Sequence, residues 1–209
     1  MQEEMSLHIL DHPLAAHLVT CLRDRETPPE QFRLATRTLS MLLALEATRE
    51  LRVKKIRVTS PVAEADGVEI ADSIAVVPVL RAGLGMLDPI LELFPMVDVG
   101  YIGLERHEET AVAHSYYCKL PDLSDKAAIC LDPMLATGGS ASQAVALIKA
   151  RNPRSVAMVS IVAAPEGVQR MADDHPEVPV FTAALDEGLN DRRFIVPGVG
   201  DFGDRLFGT

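Results

Sequence analysis

The chain has 209 residues, 48% of them hydrophobic and 24% charged, with 13 glycines and 14 prolines. Such a length predicts one domain over 1–209 whose core needs neither disulfides nor structural metal, and the composition excludes wholesale disorder. With 20 basic against 30 acidic residues, the formal net charge of −10 argues against a broad basic surface for nucleic acid or anionic membrane.

No apolar stretch approaches the roughly 18 residues of a spanning helix, and the opening MQEEMSLHIL does not read as a secretory signal. Cys21, Cys118 and Cys130 are odd in number and far apart, so a reduced, cytoplasmic setting is expected. Thr27-Pro28-Pro29-Glu30 reads as a capping box with proline at the first helical positions. Phe32, Ala35, Leu39, Leu42 and Leu43 then share one helical face up to about Leu51.

Beyond Leu51 short, solid apolar runs take over: Ile74–Leu80, Val97–Leu104, Ala127–Leu131, Val156–Val162 and Val178–Phe181. Unbroken hydrophobicity predicts strands buried on both faces, as in a parallel sheet. Helical segments follow three of them, at Gly83–Phe94, Ser140–Arg151 and Pro165–Asp174, and Ala141, Ala144, Val145 and Ile148 form one stripe. Strand–helix alternation predicts an α/β domain with right-handed crossovers. Arg106–Leu120 breaks the alternation and reads as a hairpin or arm, and the glycine-rich Phe194–Thr209 reads as an irregular loop or hood.

The strongest chemical signal is Asp132-Pro133-Met134-Leu135-Ala136-Thr137-Gly138-Gly139-Ser140, between an apolar strand and an amphipathic helix. Ligands of parallel sheets bind beyond the carboxyl ends of the strands, and a Thr-Gly-Gly-Ser turn there presents amides, hydroxyls and a helix N-terminus to a phosphate. A plain glycine turn capped by Thr137 or Ser140 is the competing reading. No Walker lysine is present, and Gly83-x-Gly85 lacks the third glycine of a dinucleotide fingerprint. Two further strands end in Arg81 and Arg106, which brings anion-binding forks to the same sheet edge. His107-Glu108-Glu109 and His114 do not have zinc spacing.

From His12-Pro13-Leu14 to Phe207-Gly208-Thr209 the chain resembles the uracil phosphoribosyltransferases. The resemblance rests on Phe32-Arg33, Glu46-Ala47-Thr48, Val79 to Met86, Arg106 with Glu108-Glu109-Thr110, Asp132 to Ser140, Ala163 to Gly167 and Gly200 to Asp204. It implies a type I phosphoribosyltransferase core, a central mainly parallel sheet flanked by helices, with a β-arm at about 105–120 and a C-terminal hood at about 185–209. The implied reaction joins uracil to 5-phosphoribosyl 1-diphosphate (PRPP), with Mg²⁺, giving UMP and diphosphate.

By the same resemblance Asp132 takes the ribose hydroxyls, Ala136 to Ser140 surround the 5′-phosphate, and Pro133, Met134 and Leu135 complete that loop. Arg81 and Arg106 hold the diphosphate, Asp201 faces the ribosyl diphosphate, and Ile195, Gly200 and Phe202 meet uracil through backbone groups. Mg²⁺ is expected on PRPP oxygens and water rather than on protein side chains. A homodimer or larger homo-oligomer is implied; GTP and UTP are effectors in some members, and no residue here selects between them. Ala136 replaces the acid that 6-oxopurine enzymes use at the base N7, which disfavours purines. Glu105 and Ala113-His114-Ser115 depart from the family pattern in the arm. An RNA-binding regulator on the same core is opposed by Pro133 and by the acidic total, and a catalytically dead nucleotide sensor by the intact loop.

Overall fold

The structure is a computed structural model that describes residues 6–106 and 113–209, with backbone alone at 105, 106 and 113–115. In chain order the elements are β1 (Leu7–Ile9), α1 (Pro13–Arg23), α2 (Pro29–Ala47), β2 (Val53–Thr59), β3 (Glu64–Ile70), β4 (Ile74–Leu80) and α3 (Leu84–Leu93). They continue with β5 (Asp98–Val99), β6 (Tyr101–Arg106), β7 (Ala113–Lys119), β8 (Ala127–Leu131), β9 (Met134–Leu135), α4 (Gly139–Lys149) and β10 (Ser155–Ala163). The chain ends with α5 (Pro165–Asp174), β11 (Val180–Leu185), β12 (Gly188–Leu189), β13 (Ile195–Val196) and α6 (Phe202–Phe207).

The main sheet runs β1-β11-β10-β8-β4-β6-β7, with β5 beside β4 and β9 beside β10. Its pairs are parallel except β6 with β7, which are antiparallel. The solid apolar runs are explained by a core on each face. Along β4, Ile74 and Val76 join α1, α2 and α3 on one side, while Ala75, Val77 and Val79 join α4 and α5 on the other. Both sides of the strand leave water, so polar alternation has no place. The predicted stripe of Ala141, Ala144, Val145 and Ile148 is buried as expected.

Pro78 sits in the middle of this central strand without leaving a donor gap. β5 pairs with Ala75 and Val76, β6 pairs with Val79 and Leu80, and the proline falls between the two ladders. A proline lacks an N–H, so the unpaired step costs no donor there. The single strand expected over Val97–Leu104 is therefore two, β5 and β6, separated by Gly100, whose N–H donates to the Val76 carbonyl at 3.0 Å.

Other expectations need correction. The capping box at Thr27 does not form: Pro28 is the N-cap of α2, and the Thr27 hydroxyl donates to the Cys21 carbonyl at 2.7 Å. The helix ends at Ala47 rather than near Leu51. β2 and β3 form a separate antiparallel hairpin that the apolar runs did not announce. The tail is more ordered than a loop, since β12 pairs with β13 and α6 closes the chain. The arm is present as the antiparallel β6–β7 pair; His107, Glu108, Glu109 and Thr110 lie outside the described residues.

Candidate active site

Three neighbouring parallel strands end on one edge. β8 delivers Asp132, β4 delivers Arg81 through the Leu80–Arg81 cis peptide, and β6 closes with Arg106. Gly83, in the turn after β4, brings two of these ends into contact. A Cβ there would stand 2.5 Å from the Leu131 carbonyl oxygen and 2.6 Å from that of Val79. The Arg81 turn thus packs directly against the residue preceding Asp132.

The Asp132 loop is fastened to β10. Asp132 N–H donates to the Val159 carbonyl at 3.1 Å, the Pro133 carbonyl accepts from Ile161 and Val162, each at 3.0 Å, and Ala164 N–H donates to the Leu135 carbonyl at 2.9 Å. Met134 and Leu135 extend this contact as β9. Asp132 itself is half-buried, with a long bond from Met134 N–H at 3.4 Å. Burial, with the Asp132 charge added, pushes the Cys130 thiol up, which leaves that sulfur inert as a nucleophile.

The loop then turns sharply into α4. Gly138, the N-cap, has a φ of +75°, and a Cβ on it would meet Arg170 Cβ at 2.8 Å and the Gly167 carbonyl at 2.9 Å. Gly139 faces open space, with Thr137 Oγ1 at 3.8 Å the nearest atom to a built Cβ. The N-cap position belongs to Gly138, not to Thr137 or Ser140. The first-turn amides of Gly139, Ser140 and Ala141 have no acceptor within the helix. Unpaired amides and the positive end of a helix dipole are the groups that suit an anion.

The hood lies on the same edge. Asp186 N–H donates to the Ala163 carbonyl at 2.8 Å, and Leu189 N–H donates to Glu166 Oε1 at 3.0 Å, which ties the hood to the carboxyl end of β10 and the start of α5. Asp201 caps α6 by accepting from Asp204 N–H at 3.0 Å. Asp204 Oδ1 stands 3.8 Å from the exposed Arg81 guanidinium, so hood and strand ends converge. Gly200 has a φ of +78° and is exposed. The Phe202 side chain is fully buried, edge-on to Phe32 at 5.0 Å, and Ile195 is buried too; neither presents its side chain to the opening.

Residues outside the predicted set hold the hood in place. Arg205 stacks over Phe32 at 4.5 Å and donates to the Val199 carbonyl at 2.8 Å, the Asp24 carbonyl at 2.6 Å and the Leu22 carbonyl. Arg33 donates to the Leu206 carbonyl at 3.0 Å. Phe32-Arg33 thus serves the site indirectly, by fixing α6. The Arg23–Asp186 ion pair also escaped sequence reasoning, since its partners are 163 residues apart and carry no motif.

The fold is that of the type I phosphoribosyltransferases. Solved structures share the core: a hypoxanthine-guanine phosphoribosyltransferase from Bacillus anthracis aligns with TM-score 0.53 at 13% identity, covering 74% of this chain and 79% of that one. The AQ2163 protein from Aquifex aeolicus aligns far more fully, with TM-score 0.92 at 38% identity over 97% of this chain and 98% of its own. Residues 9–209 match the uracil phosphoribosyltransferase family, and the chain belongs to it. A uracil phosphoribosyltransferase from Thermoanaerobacter sp. (strain X514) is 46% identical over 98% of both chains. One from Bacillus cytotoxicus is 47% identical over 97% of this chain and 98% of its own.

Proposed function

We propose that this chain transfers the 5-phosphoribosyl group of PRPP to uracil, giving UMP and diphosphate in pyrimidine salvage, and that residues 1–209 act as one unit. The observation that carries this reading is the Asp132–Ser140 loop, bolted to β10 at the same sheet edge as the Arg81 turn, which in turn approaches Asp204 of the hood. Asp132 accepts from the ribose hydroxyls, and the Ala136–Ser140 segment with its first-turn amides takes the 5′-phosphate. Pro133, Met134 and Leu135 hold that segment to β10 rather than contacting ligand through side chains. Arg81 and Arg106 meet the diphosphate, and Asp201 faces the ribosyl diphosphate.

In the reaction the bond from uracil N1 to C1′ forms as the C1′–O bond breaks, with its electron pair leaving on diphosphate and the N1 proton passing to solvent. Cationic groups aimed at that leaving charge lower the barrier, and the anomeric carbon passes through an oxocarbenium-like state. Side-chain nucleophiles have no part in it. Ile195, Gly200 and Phe202 offer backbone groups to the uracil edge, and Ala136 has no acid for a purine N7.

Mg²⁺ is the proposed cofactor. A half-buried carboxylate at the strand end is a hard oxygen donor suited to a water-bridged ion, and among the described residues no group of three or more potential metal-ligating side chains forms a cage. Bound with PRPP, the ion would neutralise charge developing on the diphosphate.

The proposed partner is a second copy of this chain. The β2–β3 hairpin supports it: Val53, Val58, Val68 and Ile70 are exposed, and isolated two-stranded hairpins are marginal in water. Sedimentation at micromolar protein should give at least a dimer. A cytoplasmic setting fits the three free cysteines, and no helix among the described residues is long and apolar enough to cross a membrane. Control by GTP or UTP would show as a change in rate when either is added.

Incubating the protein with PRPP, Mg²⁺ and single bases tests the reaction. UMP and diphosphate are expected with uracil; a product from orotate or a purine with none from uracil would overturn the assignment.

A further inference from the structure

One part-buried ion pair grips both polar groups of a single hood residue. Asp186 accepts from Gly198 N–H at 2.8 Å and from both terminal nitrogens of Arg23, at 2.9 and 2.5 Å. Arg23 in turn donates to the Gly198 carbonyl at 3.0 Å. The Asp186 side chain is 2% exposed, so its charge is compensated almost wholly by this arrangement. Gly198 sits where only glycine fits: its φ is +62°, and a Cβ would lie 2.1 Å from the Ile195 carbonyl oxygen.

Two consequences follow for the backbone between Ile195 and Phe202. Gly198 has both its N–H and its carbonyl committed, and the Val199 carbonyl is committed to Arg205. The backbone groups of Gly200, exposed and two residues beyond the grip, take their direction from where Gly198 is held. A flat base edge that needs donor, acceptor and donor in fixed order is read only if those groups stay aligned, and small misplacements lose much of such an interaction.

We infer that Arg23 and Asp186 are positioning residues for base recognition: they aim the Gly200 segment, and so set affinity and selectivity for the base without touching it. The inference rests on the uracil reading for the identity of the base, but not for the positioning itself. A lysine at 23 keeps the charge yet cannot reach both Asp186 oxygens and the Gly198 carbonyl together.

The test compares the full-length wild type with Arg23→Lys and, as a second variant, Asp186→Asn. In both, KM for uracil should rise about tenfold while kcat and KM for PRPP stay within about twofold, the pattern of lost binding rather than lost chemistry. Amide exchange at Gly198, whose N–H Asp186 holds, should quicken about tenfold, with residues 136–141 unchanged. Wild-type exchange at Gly198, exchange quickened evenly along the chain, or equal rises in both KM values would overturn the inference. Should the wild type form no UMP, the uracil reading fails, and the exchange profile decides the positioning by itself. Should Arg23→Lys not fold, Asp186→Asn decides by the same criteria.

Discussion

Gly83 and Leu131 meet so closely that a Cβ on the glycine would stand 2.5 Å from the leucine carbonyl oxygen. This contact joins the turn that carries Arg81 to the strand end that carries Asp132. The obstruction is backbone on both sides, Leu131 and Val79, and backbone cannot swing away as a flexible side chain can. Gly83→Ala should therefore destabilise the fold by about 1–3 kcal/mol, as overpacking does. Turnover should also fall more than the loss of folded protein explains; urea unfolding and UMP assays at matched folded fraction check both.

The two glycines of the anion loop should behave differently. Gly138→Ala meets Arg170 and Gly167 and must hold a φ of +75°, so a stability loss of at least about 1 kcal/mol is expected. Gly139→Ala meets nothing within the protein closer than 3.8 Å and should leave the melting temperature almost unchanged. Its new methyl would instead stand among the amides that take the 5′-phosphate, raising KM for PRPP with little change in KM for uracil. Thermal melts beside two-substrate kinetics separate the cases.

Asp132→Asn should keep the fold, because the loop's attachment to β10 runs through backbone groups. Losing a charged acceptor for two hydroxyls should reduce kcat/KM for PRPP roughly 10–100-fold, the usual scale of charge-assisted hydrogen bonds. Wild-type kinetics in this variant would remove Asp132 from the proposed site.

Acid stability should depend on Asp72. Its side chain is buried, which alone pushes the carboxyl up, but bonds from the Arg52 N–H and guanidinium, with Arg154 at 2.7 Å, outweigh burial and hold it below the usual carboxylate range. A lowered carboxyl contributes stability that is present above its unfolded value and lost as pH falls through its folded value. Asp72→Asn should be less stable at neutral pH and show a flatter decline below about pH 4, near the unfolded carboxylate value. Denaturation midpoints measured from neutral to strongly acid pH test the sign.

The part of the site built by local rules was readable in advance. Ala127–Leu131 is solidly apolar because both faces are buried, Gly138-Gly139 marks the turn, and the stripe on α4 has helical period, so loop and orientation follow from the chain alone. The β2–β3 hairpin was not readable, because both its faces are exposed and Lys54, Lys55, Arg57, Glu64, Asp66 and Glu69 obscure any apolar period. α6 was hidden for another reason. It is six residues long with Gly203 inside, and it is held by Arg33 and Phe32 from a distant part of the chain, with its own Arg205 stacked over Phe32. Tertiary contacts made that helix, and no local propensity announces them.

Discrimination between bases tests the central claim most directly. We would measure kcat/KM for uracil and for hypoxanthine with saturating PRPP and Mg²⁺. A site that reads the uracil edge by hydrogen bonds, with Ala136 where a purine needs an acid, should favour uracil by about 10⁴-fold. Equal values, or a preference for hypoxanthine, would contradict it.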